Sequence, residues 1–459
     1  MGYVVYNRRC QRVFEKINMR REDLNLDNDA RIKVVDSPCG WGKSSYAIQY
    51  INSLPDDVKV IYITPFLSET DRIRAECPNR NFKQPDSSRA GTKSADFIKL
   101  IEKEENISST HALFKGISRD LINLLKAKNY ILILDEVMNV VEKLDIYKDE
   151  NISKQEKEAL TKNDVQILMD KGMLVADNTG LISWNSKEKI LHKYAYLKEL
   201  ADRQLLYYLG NDFLIWTFPI EVFQPNIFKE IYILTYQFDC QIQAYYYNFF
   251  NLKYDVYRVM KQQGSYYLVK ADKLGKDYDS EWKKKISKLI NICNHKKLNS
   301  VGDYYKDSRG RTQKSALSKS WYENPENVKK IKKSITNYFI NVANCQANLR
   351  LWTCFKDNKN QLKGGRACLK NWISCNCRAS NEYSNKRCLI YPINRYLNPY
   401  YENFFIKRGI NIDQDRYALS EMIQWIFRSA IRKGKPIDIY IPSQRMRELF
   451  KKWLGGEIQ

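Results

Sequence analysis

The sequence predicts an α/β protein with two parallel-sheet domains in tandem. Unbroken apolar runs such as 130–134 (YILIL) are as long as strands buried on both faces, the pattern of a parallel sheet. These runs alternate with segments of helical spacing, the usual connection between parallel strands. At 459 residues the chain is too long for one ordinary core, so two or three domains are expected. With 44% hydrophobic residues there is ample material for them. The domains expected are 1–260, with a mainly helical insertion at about 141–205, then a basic, aromatic-rich connector at 261–335, then 336–459.

Residues 1–31 are charged and read as helical, with Val13, Ile17 and Leu24 inward. A strand at 32–35 runs into Ser37, Pro38, Cys39, Gly40, Trp41, Gly42, Lys43, Ser44 and Ser45, after which Tyr46, Ile48 and Ile51 take up helical spacing. Strand, Gly-containing loop and helix N-terminus together form an anion site of backbone N–H groups. In that site Lys43 reaches β- and γ-phosphates and the Ser44 hydroxyl holds Mg²⁺. Ser37 stands where the common pattern has Gly. A further buried strand, 58–63, ends in the polar turn Thr64-Pro65.

The apolar run at 130–134 ends in Asp135-Glu136, at the strand end where open α/β sheets bind ligands. Asp135 is expected to hold Mg²⁺ from its outer coordination sphere and Glu136 to polarise the attacking water. The acids and the loop together point to binding and hydrolysis of a nucleoside triphosphate.

Within the insertion, 165–173 reads as a helix and 174–184 as a hairpin. The core is expected to resume with 213–217 and 231–236. The connector crowds Lys and Arg, including Arg309 and Arg311, between Tyr304, Tyr305, Trp321 and Tyr322. Such a mixture suits phosphates and stacked bases, and a net charge of +23 favours a polyanionic partner. Strands are expected at 351–355, 372–375, 388–391 and 437–443. A long helix over roughly 414–432 places Gln424, Arg428 and Arg432 four apart on one face, where Arg could complete a phosphate site from across a cleft. The 11 Cys are expected as reduced thiols, because the chain opens without an export signal. Cys368, Cys375, Cys377 and Cys388 fit no familiar zinc spacing. No apolar run approaches the ~18 residues of a membrane span.

These motifs resemble those of the superfamily 2 (DEAD/DEAH-like) helicases, and more closely the compact helicase-like ATPases of phages and prophages. Residues 37–44 look like motif I and Asp135-Glu136-Val137-Met138 like motif II. Thr64-Pro65 is similar to motif Ia, Ser109-Thr110-His111 to Ib and Leu234-Thr235-Tyr236 to III. Thr353 sits where motif IV belongs. Arg378 and Asn381 fall in a stretch similar to motif V, and 424–432 resembles motif VI. The resemblance implies two RecA-like domains with ATP and Mg²⁺ in the cleft. Nucleic acid would cross their top, touched by Thr64, Pro65, Thr110, His111, Thr353, Arg378 and Asn381. It implies a cytoplasmic helicase or translocase on single-stranded or forked DNA, RNA being less favoured, with replication or defence proteins as partners and no membrane. The alternative is a non-unwinding ATPase clamp within a larger assembly. The two arginines are four apart where the family spaces them by three, which leaves open which is the finger.

Overall fold

Strands whose residues are apolar along their whole length need cover on both faces, and the chain supplies it twice. The computed structural model describes residues 31–144, 164–185, 194–210, 213–275, 278–363, 370–376 and 382–458. Its first lobe holds β1 (Ile32–Asp36), β2 (Lys59–Thr64), β3 (Ile107–Thr110), β4 (Tyr130–Asp135), β5 (Val141–Lys143), the hairpin β6 (Leu174–Ala176) and β7 (Ile182–Trp184), β8 (Leu206–Gly210), β9 (Phe213–Thr217), β10 (Glu230–Thr235), β11 (Asp255–Gln262) and β12 (Ser265–Lys270). Seven of these form one sheet in the order β12-β11-β1-β10-β4-β2-β3, parallel except for the β11–β12 hairpin. Every residue of β4 is buried, as its run of apolar side chains requires. Helices α1 (Lys43–Ser53), α2 (Leu67–Glu76), α3 (Lys93–Glu102) and α4 (Arg119–Lys126) belong to this lobe.

The second lobe carries β13 (Ile290–Ile292), the small hairpin β14 (Tyr305–Lys306) and β15 (Thr312–Gln313), β16 (Arg350–Trp352), β17 (Cys388–Ile390) and β18 (Ile437–Tyr440). Its parallel sheet runs β13-β18-β17-β16. Its helices include α5 (Ser280–Ser287), α6 (Pro325–Asn337), α7 (Pro399–Ile406), α8 (Gln414–Ile426) and α9 (Gln444–Leu454). The molecule is thus α/β with two parallel sheets in tandem, as the sequence leads one to expect.

Several boundaries differ from the sequence reading. The stretch at 261–335 is divided between the lobes: β12 extends the first sheet and β13 opens the second, well before residue 336. The reason is burial, since Ile286, Ile290, Leu298, Tyr322 and Ile331 all enter the second lobe's cores. The insertion reaches further than 205, because β9 pairs antiparallel with β5 and β8 in a separate three-stranded sheet. Residues 372–375 form no strand beyond a single bridge between Trp372 and Trp352. Cys345 and Cys388 are paired as a disulfide, against the expectation of reduced thiols throughout. Cys375 is a buried free thiol, while Cys368 and Cys377 lie outside the described residues. So do Arg378, Asn381 and the N-terminal segment with Val13, Ile17 and Leu24. Among the described residues no group of three or more His, Cys, Asp or Glu forms a metal cluster, and no helix is long and apolar enough to cross a membrane.

The long helix expected over 414–432 stops at Ile426. Phe427 leaves helical geometry, Ser429 is extended and its hydroxyl bonds the Ile426 carbonyl, and a 3₁₀ turn follows at Ala430–Lys433. Buried Ala430 and Ile431 turn into the core there, and the Ala430 N–H donates to the Lys386 carbonyl just before β17. Arg428 and Arg432 therefore do not share a helical face with Gln424.

The lobes also touch through α7. Phe404 and Phe405 of α7, which follows β17 in the chain, are fully buried in the first lobe's core. Buried Arg408 lies 4.1 Å from the Phe404 ring centre and 4.9 Å from that of Tyr207, and it donates to the Thr179 carbonyl of the inserted hairpin.

Candidate functional site

The phosphate-type loop leaves β1 at the C-terminal edge of the first sheet. Ser37 is fully buried, its N–H donating to the Thr235 carbonyl at 3.0 Å and its hydroxyl accepting from the Val259 N–H at 2.7 Å. A hydroxyl at the first loop position thus ties β11 to the loop, which Gly could not do. Gly42 has φ +91°, and a Cβ there would lie 2.2 Å from a ring carbon of Tyr266 on β12, so only Gly fits. Lys43 opens α1, and its ammonium donates to the Ser37 carbonyl at 2.7 Å and to the Pro38 carbonyl at 3.3 Å. Ser44 and Ser45 follow in the first turn, where backbone N–H groups are free to meet an anion.

Two sheet positions from β1, β4 delivers the acids, with β10 between them. Asp135 is buried and accepts from the Tyr62 hydroxyl at 2.9 Å. Burial first, and Glu136 beside it second, push its carboxyl up to about 6. Glu136 takes φ +71°, a conformation costly for a residue with a side chain and held by its N–H bond to the Leu234 carbonyl. That turn takes the carboxylate off the strand's alternation. Its Oε2 is buried without a hydrogen-bond partner, and its Oε1 lies 3.9 Å from an Arg428 nitrogen.

Arg428 and Arg432 reach this edge from the second lobe. Arg428 is 5% exposed, with Nε and one terminal nitrogen lacking hydrogen-bond partners. The Arg432 carbonyl is 3.7 Å from where a Gly40 Cβ would sit, which seats that turn on the loop. Burial, then the neighbouring Arg428, lower the basicity of Arg432. Cys39 packs against the second lobe's core, and its thiol is pushed up by burial in spite of Lys43, Arg428 and Arg432 nearby. Gln424, 3% exposed, has neither amide atom bonded.

Buried guanidinium and amide groups left unpaired are costly, and cations gathered in excess of acids favour an anion. The residue set therefore fits a polyphosphate: loop N–H groups and Lys43 on one side, Arg428 and Arg432 on the other. The Ser44 hydroxyl and the Asp135 carboxylate are hard oxygen donors of the kind Mg²⁺ takes.

The residues expected to meet nucleic acid are only partly gathered. Thr64 and Thr110 are directly paired at the ends of β2 and β3, with Pro65 and His111 next to them. Thr64 and Thr353 are buried with hydroxyls lacking partners, and Thr110 caps the short helix that His111 begins. Thr353 follows β16 in the other sheet. Arg309 and Arg311 lie on the β14–β15 hairpin, where Arg311 pairs with Asp307 at 2.9 Å, and no described contact joins them to Thr64 or Thr110. The sequence reading missed Tyr62, Gln237, Arg258 and Tyr266. Gln237 directly follows an apolar strand, a signal open to the same argument as Asp135; the others depend on sheet order.

Comparison with known sequences identifies a family. Residues 284–454 match the YonV C-terminal Rossmann-like domain and residues 156–216 the YonV middle domain. Among solved structures, Xpd4 of S. tokodaii covers 92% of this chain and 94% of its own at 12% identity and TM-score 0.42. The DUF1998 helicase MrfA, bound to DNA and AMPPNP, covers 93% and 48% at 9% identity and TM-score 0.29. The SPbeta prophage-derived uncharacterized protein YonV of Bacillus subtilis (strain 168) is 38% identical over 438 residues, spanning 93% of this chain and 99% of that protein. On that identity and coverage, the chain belongs to the YonV family.

Proposed function

We propose that the chain hydrolyses ATP between its two parallel sheets and works as a helicase or translocase on nucleic acid, DNA before RNA. The observation that supports this most is the convergence at one edge of Lys43, Asp135 and Glu136 from the first lobe with Arg428 and Arg432 from the second. Lys43 and the loop N–H groups hold the phosphates. Glu136, with an unpartnered carboxylate oxygen, accepts a hydrogen bond from the attacking water and orients it. Ser44 and Asp135 would hold Mg²⁺, which would neutralise charge on the phosphates. Arg428 and Arg432 stabilise the charge that develops as the terminal phosphate departs. Because Arg428 faces Glu136 across the lobes, phosphate binding and lobe closure are linked, and the linkage can move bound nucleic acid. A non-unwinding clamp is the second reading, favoured by the burial of Phe404 and Phe405 against the first lobe, which restrains the lobes.

ATP turnover by the purified chain with single-stranded DNA, duplex DNA or RNA, beside a strand-displacement assay, tests the proposal. Stimulation should be largest with DNA. Binding should weaken with salt by a log–log slope of about −0.7 to −0.9 per neutralised phosphate. Stimulation without displacement would favour the clamp, and turnover indifferent to nucleic acid would overturn both.

A further inference from the structure

Residues 40–42 carry one side chain between them, the indole of Trp41, flanked by glycines with φ +87° and +91°. Backbone N–H groups suffice to wrap an anion, and an indole adds nothing to that. The ring is partly buried and leans on the second lobe. It meets Trp282 of α5 edge-on, with ring centres 5.9 Å apart and planes at 89°. Trp282 packs on the second lobe's core, 5.5 Å from Phe427 and 5.9 Å from Trp453 of α9. Phe427 and Trp453 are buried and 6.4 Å from each other.

Phe427 is the residue at which α8 leaves helical geometry, and Arg428, 3.9 Å from Glu136, comes next. Three rings, those of Trp41, Trp282 and Phe427, therefore run from the loop to the start of the arginine turn. On its other side Trp41 meets Tyr278 edge-on at 5.8 Å. Tyr278 is tied to the first lobe, since its ring centre is 4.9 Å from the Arg258 guanidinium, which pairs at 3.0 Å with Asp36 before the loop. Rings at these spacings attract in preferred relative orientations, so a shift of one is resisted by the next.

We propose that Trp41 is a positioning residue for hydrolysis: its indole, acting through Trp282 and Phe427, sets where Arg428 stands opposite Glu136. The inference rests on the phosphate-site reading and adds to it the contact that aligns the arginine turn with the loop. Two of the Arg428 nitrogens have no hydrogen-bond partner, so bonds of its own do little to fix the side chain. The packing of the residue before it does that. The Arg432 carbonyl against Gly40 holds the far end of the same turn. Charge that Arg428 meets develops in the transition state, so a displaced turn costs turnover and spares ATP binding by Lys43 and the loop.

Equilibrium ATP binding, with kcat and KM in the presence of nucleic acid, tests this on the full chain. The variants are Trp41→Ala, Trp41→Phe, Trp282→Leu, the Trp41→Ala/Trp282→Leu pair and Lys43→Ala. In Trp41→Ala kcat should fall about tenfold while ATP affinity stays within about twofold, which also shows that the variant folds. Trp41→Phe keeps a ring edge for Trp282 and should recover most of the rate. Trp282→Leu keeps apolar bulk in the core and should match Trp41→Ala. The double variant should be no slower than the slower single one, because both changes break the same chain of rings. Parent kcat in Trp41→Ala, lost ATP affinity with kcat unchanged, or losses that multiply to about a hundredfold in the double variant would each overturn this proposal alone. ATP binding and turnover at parent levels in Lys43→Ala would overturn the phosphate-site reading and this proposal with it.

Discussion

Asp135 and Glu136 are adjacent, yet one is sealed under a tyrosine and the other is turned out of its strand by a left-handed backbone. Burial raises the Asp135 carboxyl from 3.8 to about 6, so the fold favours its protonated form. The stability this gives is present in full below pH 3.8 and is lost as pH rises through about 6. Asp135→Asn keeps the acceptor for Tyr62 and removes the buried charge. It should therefore be more stable than the parent at pH 8 by up to about 3 kcal/mol, the gain shrinking toward pH 5, while hydrolysis is lost. Urea unfolding at both pH values measures this, and equal stabilities at pH 8 would contradict the burial of an ionised Asp135.

At the scale of elements, what was legible in the sequence was local. Residues 37–45 and 130–136 reveal themselves because strand, loop and helix start are contiguous, and spacing alone fixes which groups meet. The end of α8 at Ile426 was not legible, since it depends on the Ala430 N–H finding the Lys386 carbonyl 44 residues away in sequence (430 − 386). Nor was the sheet of β5, β9 and β8, whose antiparallel pairing is indistinguishable by apolar content from a resumed parallel core. The split of 261–335 between two sheets was hidden by its charge, which decorates exposed faces while Ile290, Leu298 and Tyr322 are buried. The docking of α7 on the insertion follows from the same nonlocal burial. Phe404→Ala should cost roughly 3–5 kcal/mol in denaturant unfolding; a loss under about 1 kcal/mol would remove this contact from what holds the lobes together.

On the scale of the whole molecule, neither sheet holds a complete site. The first lobe supplies the loop at 37–45 and two acids; the second supplies buried Arg428, facing Glu136, and Arg432, with its backbone against Gly40. Two folded halves that each carry unsatisfied polar groups at one edge have a reason to close on a shared polyanion. The most direct test is ATP affinity and steady-state turnover, with nucleic acid present, for Arg428→Ala and Arg432→Ala. The account predicts that turnover falls by about 10³-fold or more in at least one variant while ATP affinity changes far less, because the charge these groups meet develops in the transition state. Hydrolysis at the parent rate by both variants would contradict it.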